Sequence, residues 1–123
     1  MRKKTESNRA RSVQPRFRIL CGGDIALGPG KAELLALIGQ TGSINQAAKR
    51  MNMSYMRAWS LVQTMNQCFK EPLVLAAHGG EGGGGAELSE TGRRVLALYR
   101  QMEAKAAKAT RATWNKMQSH FKS

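Results

Sequence analysis

Side chains suited to catalysis or metal binding are scarce in this sequence. Its two histidines, His78 and His120, and its two cysteines, Cys21 and Cys68, stand far apart and form no CxxC spacing. Carboxylates are not paired at a spacing useful for acid–base chemistry, and no nucleophile motif is present. We therefore expect a protein that is not an enzyme and holds no metal or cofactor. The two cysteines are interpreted as small buried apolar thiols.

The side chains between positions 54 and 63 are suited instead to contacts with nucleic-acid bases. Arg57 can donate two hydrogen bonds to guanine or bind a phosphate, and both interpretations stay open. Tyr55 can reach a base or a phosphate, or lie partly in the core, whereas Met56 can pack against a thymine methyl group. Trp59 is expected to pack in the core rather than contact DNA. The predicted base contacts are Ser54, Tyr55, Met56, Arg57 and Ser60.

These side chains need a framework, and residues 43–68 predict a helix-turn-helix. Ser43 is a suitable N-cap for a helix over SINQAAKRM, and Ser54 is one for a helix over YMRAWSLVQTMNQCF. Between the helices, Asn52 tolerates the left-handed backbone of a sharp turn and Met53 supplies an apolar contact. In such a motif the second helix enters the major groove of DNA. An ordinary helical hairpin that binds nothing is the alternative.

The first helix of this motif predicts a phosphate-binding surface. Free backbone NH groups and the positive end of the helix dipole at its N-terminus favour an anion. Lys49 and Arg50 either add phosphate attraction or are simply solvated. The predicted phosphate contacts are Ser43, Asn45, Gln46, Lys49, Arg50 and, from the second helix, Gln63.

A glycine-rich segment lies between two strand-like runs, LVLAA and AELS. This pattern predicts a β-ribbon with a long tip, a wing, whose glycines can follow a sugar-phosphate backbone closely. A nucleotide-binding phosphate loop is disfavoured because no Lys-Ser or Lys-Thr follows the glycines. The residues assigned to the wing are His78, Gly79, Gly80, Gly82, Gly83, Gly84 and Gly85.

A small β-hairpin and a helix are predicted ahead of the helix-turn-helix. Residues 17–21 and 25–27 are short apolar runs around a Gly-Gly-Asp reversal. A helix with Pro29 in its first turn follows, and we expect Gly39 and Gly42 to end it. Its leucines and isoleucine form a broad apolar face for the core.

A long amphipathic helix is predicted from Ser89 onward. Apolar residues recur in it at spacings of three and four, with Arg and Lys between them. The distal half has no obvious partner within the chain, so we expect a homodimer through residues 93–117. Fraying of that half in solution is the alternative. The predicted dimer contacts are Val95, Leu98, Met102, Ala106 and Ala109.

Positive charge is concentrated at the two ends of the chain. The formal net charge is +12, but residues 1–18 carry seven basic side chains and one acid, and residues 93–123 carry eight and one. The middle carries five basic and six acidic side chains. The flanks are therefore expected to supply most of the salt-dependent attraction to phosphates. A solvated arm and a solvated helix face would explain the same counts.

The domain organisation follows from these elements. We expect a basic, disordered arm over residues 1–15, a DNA-binding domain over residues 16–92, and a dimerisation helix with its tail over residues 93–123. No apolar stretch is long enough to cross a membrane, and the N-terminus has no signal-peptide pattern. The expected location is the cytoplasm, without a membrane partner.

Three segments, TGSINQAAKRMNMSYMRAW, MNQCFKEPLV and HGGEGGGGAELSETGRRVLALY, resemble a known family. They are similar to the N-terminal DNA-binding domain of ModE-type, molybdate-responsive transcriptional regulators, and more loosely to the winged helix-turn-helix of LysR-type regulators. The resemblance covers roughly residues 25–108. It implies a mainly α fold with a small β-wing, namely a winged helix-turn-helix with a long C-terminal dimerisation helix.

The sequence departs from that family in two places. Glu81 stands in the wing where a basic residue is common, and the sequence ends at Ser123 without the molybdate-binding region of ModE-type proteins. We therefore expect a stand-alone regulator that binds specific double-stranded DNA sequences, with no evident site for a small-molecule effector. The alternatives are a sequence-tolerant, nucleoid-associated protein and a DNA-binding subunit that works with a separate sensor chain.

Overall fold

The computed structural model describes residues 10–77 and 85–122. This part of the chain is mainly helical, with two small antiparallel strand pairs and a long C-terminal helix, as the sequence predicted. The elements in chain order are β1 (Ile19–Cys21), β2 (Asp24–Leu27), α1 (Pro29–Thr41), α2 (Ile44–Arg50), α3 (Tyr55–Cys68), β3 (Val74–Ala77), β4 (Gly85–Leu88) and α4 (Glu90–Gln118).

The predicted N-terminal hairpin is confirmed, and its turn needs glycine. Cys21 pairs with Asp24 at the end of the hairpin, and Gly22 between them has a φ of 62°. A side chain at that position would be strained, because L-residues rarely adopt the left-handed region. The hairpin packs along one side of α3, so the position of the turn is set by the helix as well as by the strands.

Helix α1 begins as predicted at Pro29 and ends as predicted before Gly42. Gly42 terminates it in the left-handed conformation, with a φ of 72° and a backbone NH that donates to the Ile38 carbonyl. The expectation that Gly39 also ends the helix was wrong. Gly39 lies within α1, where a Cβ atom would stand 3.3 Å from the Leu88 side chain. Its small size allows β4 to pack closely against the helix.

The core lies where α1, α2 and α3 meet under the two strand pairs. Ala47, Ala48 and Ala58 are buried at the crossing of α2 and α3, where small side chains let the helix backbones approach. Around them pack the larger buried side chains Leu27, Leu34, Leu35, Ile38, Val62, Met65, Leu73, Val74, Leu88 and Tyr99.

The ribbon formed by β3 and β4 is tied to the helices by backbone and amide hydrogen bonds. The Asn66 side chain accepts from the NH groups of Leu73 and Val74 at 2.8 and 3.2 Å, and it donates to the Val74 carbonyl. On the other strand, the Ala86 NH donates to the Gly42 carbonyl at 2.9 Å. The base of the ribbon is therefore held by α3 on one side and by the end of α1 on the other.

Helix α4 packs on the core only through its first turns. Gly92 lies against the backbone of Leu73, so closely that a Cβ atom would stand 2.2 Å from the Leu73 carbonyl oxygen. About two turns later, at 3.6 residues per turn, the buried Tyr99 hydroxyl donates to the Phe17 carbonyl at 2.7 Å. Burial, with a smaller contribution from Glu103, raises the pKa of Tyr99. The helix thus connects the ribbon to the segment that leads into the hairpin.

The distal part of α4 has an intrachain contact that the sequence did not indicate. Arg11 donates to the carbonyl of Lys122, and its guanidinium lies 5.3 Å from the centre of the Phe121 ring. Phe121 in turn stacks edge-on against Trp114 at 5.8 Å. The described end of the basic arm therefore reaches the residues that follow α4. Within the described ranges, no helix is long and apolar enough to cross a membrane.

Candidate nucleic-acid interface

The turn between α2 and α3 has the geometry that the sequence predicted. Asn52 adopts a φ of 57°, and the Met53 NH donates back to the Ala48 carbonyl at 3.0 Å. The Ser43 hydroxyl accepts from the Gln46 NH at 3.0 Å, and the Ser54 hydroxyl accepts from the Arg57 NH at 3.1 Å. Both serines therefore cap helices, and their hydroxyl oxygens are already engaged.

Helix α3 presents one row of side chains away from the core. Met56, Ser60, Gln63 and Gln67 follow one another at spacings of four, three and four, so they lie along one line of the helix. We call this row the outward face. Met56 is 67% exposed, Ser60 and Gln67 are exposed, and Gln63 is half-buried. Gln67 was not among the predicted site residues, although its spacing from Gln63 could have indicated it.

The side of α3 next to the ribbon carries aromatic residues. Tyr55, Trp59 and Leu75 line a groove of about 290 Å³ between α3 and the strands β3 and β4. We call it the aromatic groove. Trp59 was expected in the core, but it is 42% exposed here. The reason is its position one turn after Tyr55 on the ribbon side, whereas Ala58 and Val62 point into the core.

The opposite side of α3, next to the hairpin, carries cations. Arg57 lines a cleft of about 310 Å³ together with Arg16, Arg18 and Lys31. We call these four residues the basic cleft. The Lys31 ammonium group donates to the carbonyl of Ile25, which holds it over the hairpin. Four positive charges around one opening favour an anion such as a phosphate over a neutral base edge.

Sequence reasoning placed Arg57 beside Tyr55 and Met56 and missed the other members of the basic cleft. A usable signal was present, because residues two apart on an extended segment point to the same side. Arg16 and Arg18 have that spacing and immediately precede β1. That they reach α3 depends on how the hairpin packs, which the local pattern does not contain.

The predicted phosphate residues of α2 fall into two groups. Asn45 lines the aromatic groove, close to the N-terminus of α2 where Ser43 and Gln46 form the cap. Lys49 and Arg50 are exposed in the last turn of the helix, next to the turn that leads into α3. The structure thus brings Asn45 to the ribbon side of α3 and leaves the two cations at the other end of α2.

Of the predicted wing residues, only Gly85 lies in the described part of the chain. A Cβ atom there would stand 3.3 Å from Ala77 and 3.4 Å from the Gly42 carbonyl, so a small residue suits the base of the ribbon. His78, Gly79, Gly80, Gly82, Gly83 and Gly84 lie outside the described residues.

Only three of the five predicted dimer residues are exposed. Val95 is half-buried and packs against the core, and Ala106 is half-buried as well. Leu98 is 50% exposed, and Met102 and Ala109 are exposed on the same helix. Among residues 10–77 and 85–122, no group of three or more His, Cys, Asp or Glu side chains could hold a metal ion.

Comparison with known proteins gives relatives that are transcriptional regulators and molybdenum-binding proteins. The chain is 46% identical over 82 residues to the molybdenum-pterin-binding protein MopB of Rhodobacter capsulatus, a match that covers 67% of this chain and 30% of that protein. It is 46% identical over 78 residues to the molybdenum transport protein ModE of Azotobacter vinelandii, covering 63% and 29%. The DNA-binding transcriptional dual regulator ModE of Escherichia coli (strain K12) is 45% identical over 71 residues, covering 58% and 27%.

The resemblance to ModE-type regulators is therefore confirmed over about three fifths of the chain. The looser resemblance to LysR-type regulators stays a prediction. The chain spans about 30% of the length of the curated relatives it matches. No family model matches it. The names of these three relatives describe regulation, transport and binding rather than enzymes, as expected of a protein without catalytic motifs.

Proposed function

We propose that this chain is the DNA-binding part of a ModE-type transcriptional regulator and that it recognises a specific double-stranded sequence through a winged helix-turn-helix. The observation that carries the proposal is the arrangement around α3. Its outward face is free for base contacts, and it lies between the aromatic groove and the basic cleft. A helix in the major groove has a phosphate strand on each side, so both neighbouring surfaces have a partner.

Base reading is assigned to the outward face and to the start of α3. Met56 offers an apolar contact to a thymine methyl group, and Ser60 and Gln63 offer hydrogen bonds to base edges. Arg57 belongs to the basic cleft, so a phosphate is its proposed partner rather than a guanine. The proposed role of Tyr55 and Trp59 is contact with deoxyribose and base edges from the ribbon side.

The ribbon is proposed to act as the wing. Its strands β3 and β4 are held at their base against α1 and α3, next to the aromatic groove, and a DNA backbone on that side is their proposed partner. Asn45 and the N-terminus of α2 open on the same side. Residues 19–92 carry five basic and six acidic side chains, so the basic arm before them and the basic helix α4 after them would supply the long-range attraction to phosphates.

The long helix α4 is proposed to pair with a second copy of the chain. Leu98, Met102, Ala106, Ala109 and Met117 recur at spacings of four, four, three and eight, so positions 98 and 109 and positions 106 and 117 are each eleven residues apart. An eleven-residue repeat favours helices that cross with a slight right-handed twist. Sedimentation over a range of micromolar concentrations tests this pairing directly, and a monomer at every concentration would refute it.

Selection of bound sequences from a random duplex pool at about 0.15 M salt tests the proposed function, since non-specific binding is weakened there. We expect one enriched motif, arranged as two half-sites about one helical turn apart or a multiple of it. The same selection with the double variant Ser60→Ala and Gln63→Ala should enrich a different motif, because these two side chains are proposed to contact base edges. Binding without any enrichment would instead favour a sequence-tolerant nucleic-acid-binding protein.

A further inference from the structure

The segment that leads into the hairpin runs along the distal half of α4. At one end of this segment, the Phe17 carbonyl accepts from the Tyr99 hydroxyl at 2.7 Å. At the other end, the Arg11 guanidinium lies 5.3 Å from the centre of the Phe121 ring. Residues 11–17, which we call the strap, therefore run antiparallel to α4. The residues that line a cavity between the two are Gln14, Pro15 and Arg16 of the strap, Pro29 and Glu33 of α1, and Arg100, Glu103, Ala104 and Ala107 of α4.

The exposure of α4 shows that its distal half is supported along one side at most. Between residues 103 and 118, the half-buried side chains are those of Glu103, Ala106, Trp114 and Gln118. They are separated by three, eight and four residues, and at 3.6 residues per turn these spacings keep them on one side of the helix. Every other side chain in this stretch is exposed.

The sequence of the distal half explains why this support matters. Lys105, Lys108 and Arg111 follow one another at spacings of three, so like charges are neighbours on the helix surface and destabilise it. Glu103 is the single carboxylate between residues 103 and 118, and it pairs with Arg100 at 3.6 Å. Short helices without tertiary contacts are only marginally stable in water, even when they are rich in alanine. Contacts from another segment would therefore decide how far α4 stays helical.

The contacts at the far end of the strap suit two segments that both carry positive charge. The Arg11 side chain donates to a backbone carbonyl, that of Lys122, at 3.0 Å rather than to a carboxylate. Its second partner is the ring of Phe121, which itself packs edge-on against Trp114 at 5.8 Å. Carbonyl oxygens and the faces of aromatic rings both attract a cation. Arg11 thus joins the strap to the chain beyond α4 without an ion pair.

We propose that residues 11–17 keep the distal half of α4 helical in the single chain, and that the contact between Arg11 and Phe121 holds the strap in place. Without this contact, α4 would open from its C-terminal end back towards Tyr99, where the next anchor lies. Leu98 and Met102 stay exposed beside the strap, so a second copy of the chain would still have a surface to bind. A helix that is already ordered loses less entropy on pairing than one that must fold on association.

The experiment measures amide hydrogen exchange in the full chain and in two variants, Arg11→Gln and Phe121→Ala. Each variant removes one partner of the contact between the strap and the end of the chain. We expect the amides of residues 104–118 to exchange roughly two- to fivefold faster in either variant, the factor that an exposed cation–π contact provides. The amides of α3 report on the core and should keep their natural rates.

The proposed pairing of α4 could also protect these amides, so the comparison is made on monomers. Sedimentation identifies a concentration at which the chain is monomeric. If the chain pairs at every accessible concentration, the same variants are made in Leu98→Lys, which places a charge in the proposed dimer surface. The strap contact should then have the same effect, because Leu98 lies outside the strap's contacts with α4.

Three further variants test whether the specific contact is responsible. If Arg11 and Phe121 act on each other, the double variant should exchange no faster than the more affected single variant. Arg11→Lys keeps a cation and should recover part of the protection. Val13→Ala is the matched control, because this residue belongs to the strap but its side chain is 50% exposed. It should leave the exchange rates unchanged.

Trp114 provides a second readout at the end of α4. In Trp59→Phe it is the only tryptophan of the chain, and adding Arg11→Gln should make its fluorescence easier to quench with acrylamide. The proposal is overturned if residues 104–118 of the natural chain exchange as fast as an unfolded peptide. It is also overturned if Arg11→Gln and Phe121→Ala exchange no faster than Val13→Ala. Neither result would bear on DNA recognition, which the duplex selection tests separately.

Discussion

The two sides of α3 differ in what they offer a ligand and in how they are held. The hairpin side presents Arg16, Arg18, Lys31 and Arg57, and the segment that leads into the hairpin is tied to the long helix by the Tyr99 hydroxyl. The ribbon side presents Tyr55, Trp59 and Leu75, and it is anchored by Asn66 and by the close packing of Gly92. The hairpin side offers positive charge, whose attraction to an anion does not require close contact. The ribbon side offers shape complementarity, which requires that its residues be held firmly in position.

The largest effect is expected from filling the contact that supports the ribbon. In Gly92→Ala the new methyl group would stand 2.2 Å from the Leu73 carbonyl oxygen, a backbone atom that cannot move aside cheaply. We expect a loss of about 3 kcal/mol in the free energy of unfolding. Urea denaturation measures it. The control is Gly30→Ala in α1, where a Cβ atom meets nothing within 4 Å. If both variants were equally stable, α4 would not hold the ribbon in this way.

Removing the amide that ties β3 to α3 should have the next largest effect. Asn66→Ala leaves the NH groups of Leu73 and Val74 without their acceptor, so we expect a loss of about 2 kcal/mol. Gln67→Ala, at the exposed neighbouring position, should change the stability by less than about 0.5 kcal/mol. Hydrogen exchange of the β3 amides, measured alongside denaturation, should show faster opening in the first variant only.

Binding measured over a range of salt concentrations should separate the two sides of α3. Arg57→Ala should lower affinity for the selected duplex by roughly fivefold and reduce the salt slope by about one, since one phosphate contact is lost. Trp59→Ala should cost a similar factor, about 1 kcal/mol, with an unchanged slope, because an aromatic contact releases no counterion.

Conservative variants provide the controls for that comparison. Arg57→Lys should keep the salt slope, and Trp59→Phe should recover part of the affinity. An unchanged slope in Arg57→Ala, together with relaxed preference at a single base pair, would reassign Arg57 to guanine. A reduced slope in Trp59→Ala would contradict the division into a charged and an aromatic side.

The smallest predicted effect is a pH dependence of stability that comes from Tyr99, whose hydroxyl anchors the hairpin side, and it is absent at neutral pH. Because the folded pKa of Tyr99 lies above its unfolded value of about 10, its contribution to stability is complete below pH 10 and is lost as the pH rises through the folded value. The steepest slope that one proton allows is about 1.4 kcal/mol per pH unit. Denaturation between pH 9 and 11 should show a steeper decline in the natural chain than in Tyr99→Phe.

Local sequence patterns predicted the elements well because their signals are local. Ser43 and Ser54 cap their helices, Asn52 takes the left-handed turn, and Gly22 sits in the hairpin reversal. Each of these outcomes depends on a few neighbouring residues. The same reasoning failed at Gly39, where the relevant neighbour is Leu88, almost fifty positions away.

The candidate site was predicted only in part, since it depends on contacts between distant segments. The spacing within α3 placed Tyr55, Met56 and Ser60 on the surface. The basic cleft instead requires knowing that the hairpin packs along α3. Trp59 shows the same limit: its residue type favoured burial, but its place on the helix beside the ribbon left it exposed.

Helix α4 also has a mechanical consequence. It contains 29 residues, and Tyr99 marks the last buried position along it. From there to Gln118 the helix extends roughly 28 Å further, at 1.5 Å per residue. Given that length, a tilt of about 10° at Tyr99 would displace the far end of the helix by about 5 Å. Small rearrangements beside the hairpin would be magnified at the end of the molecule that Arg11 reaches.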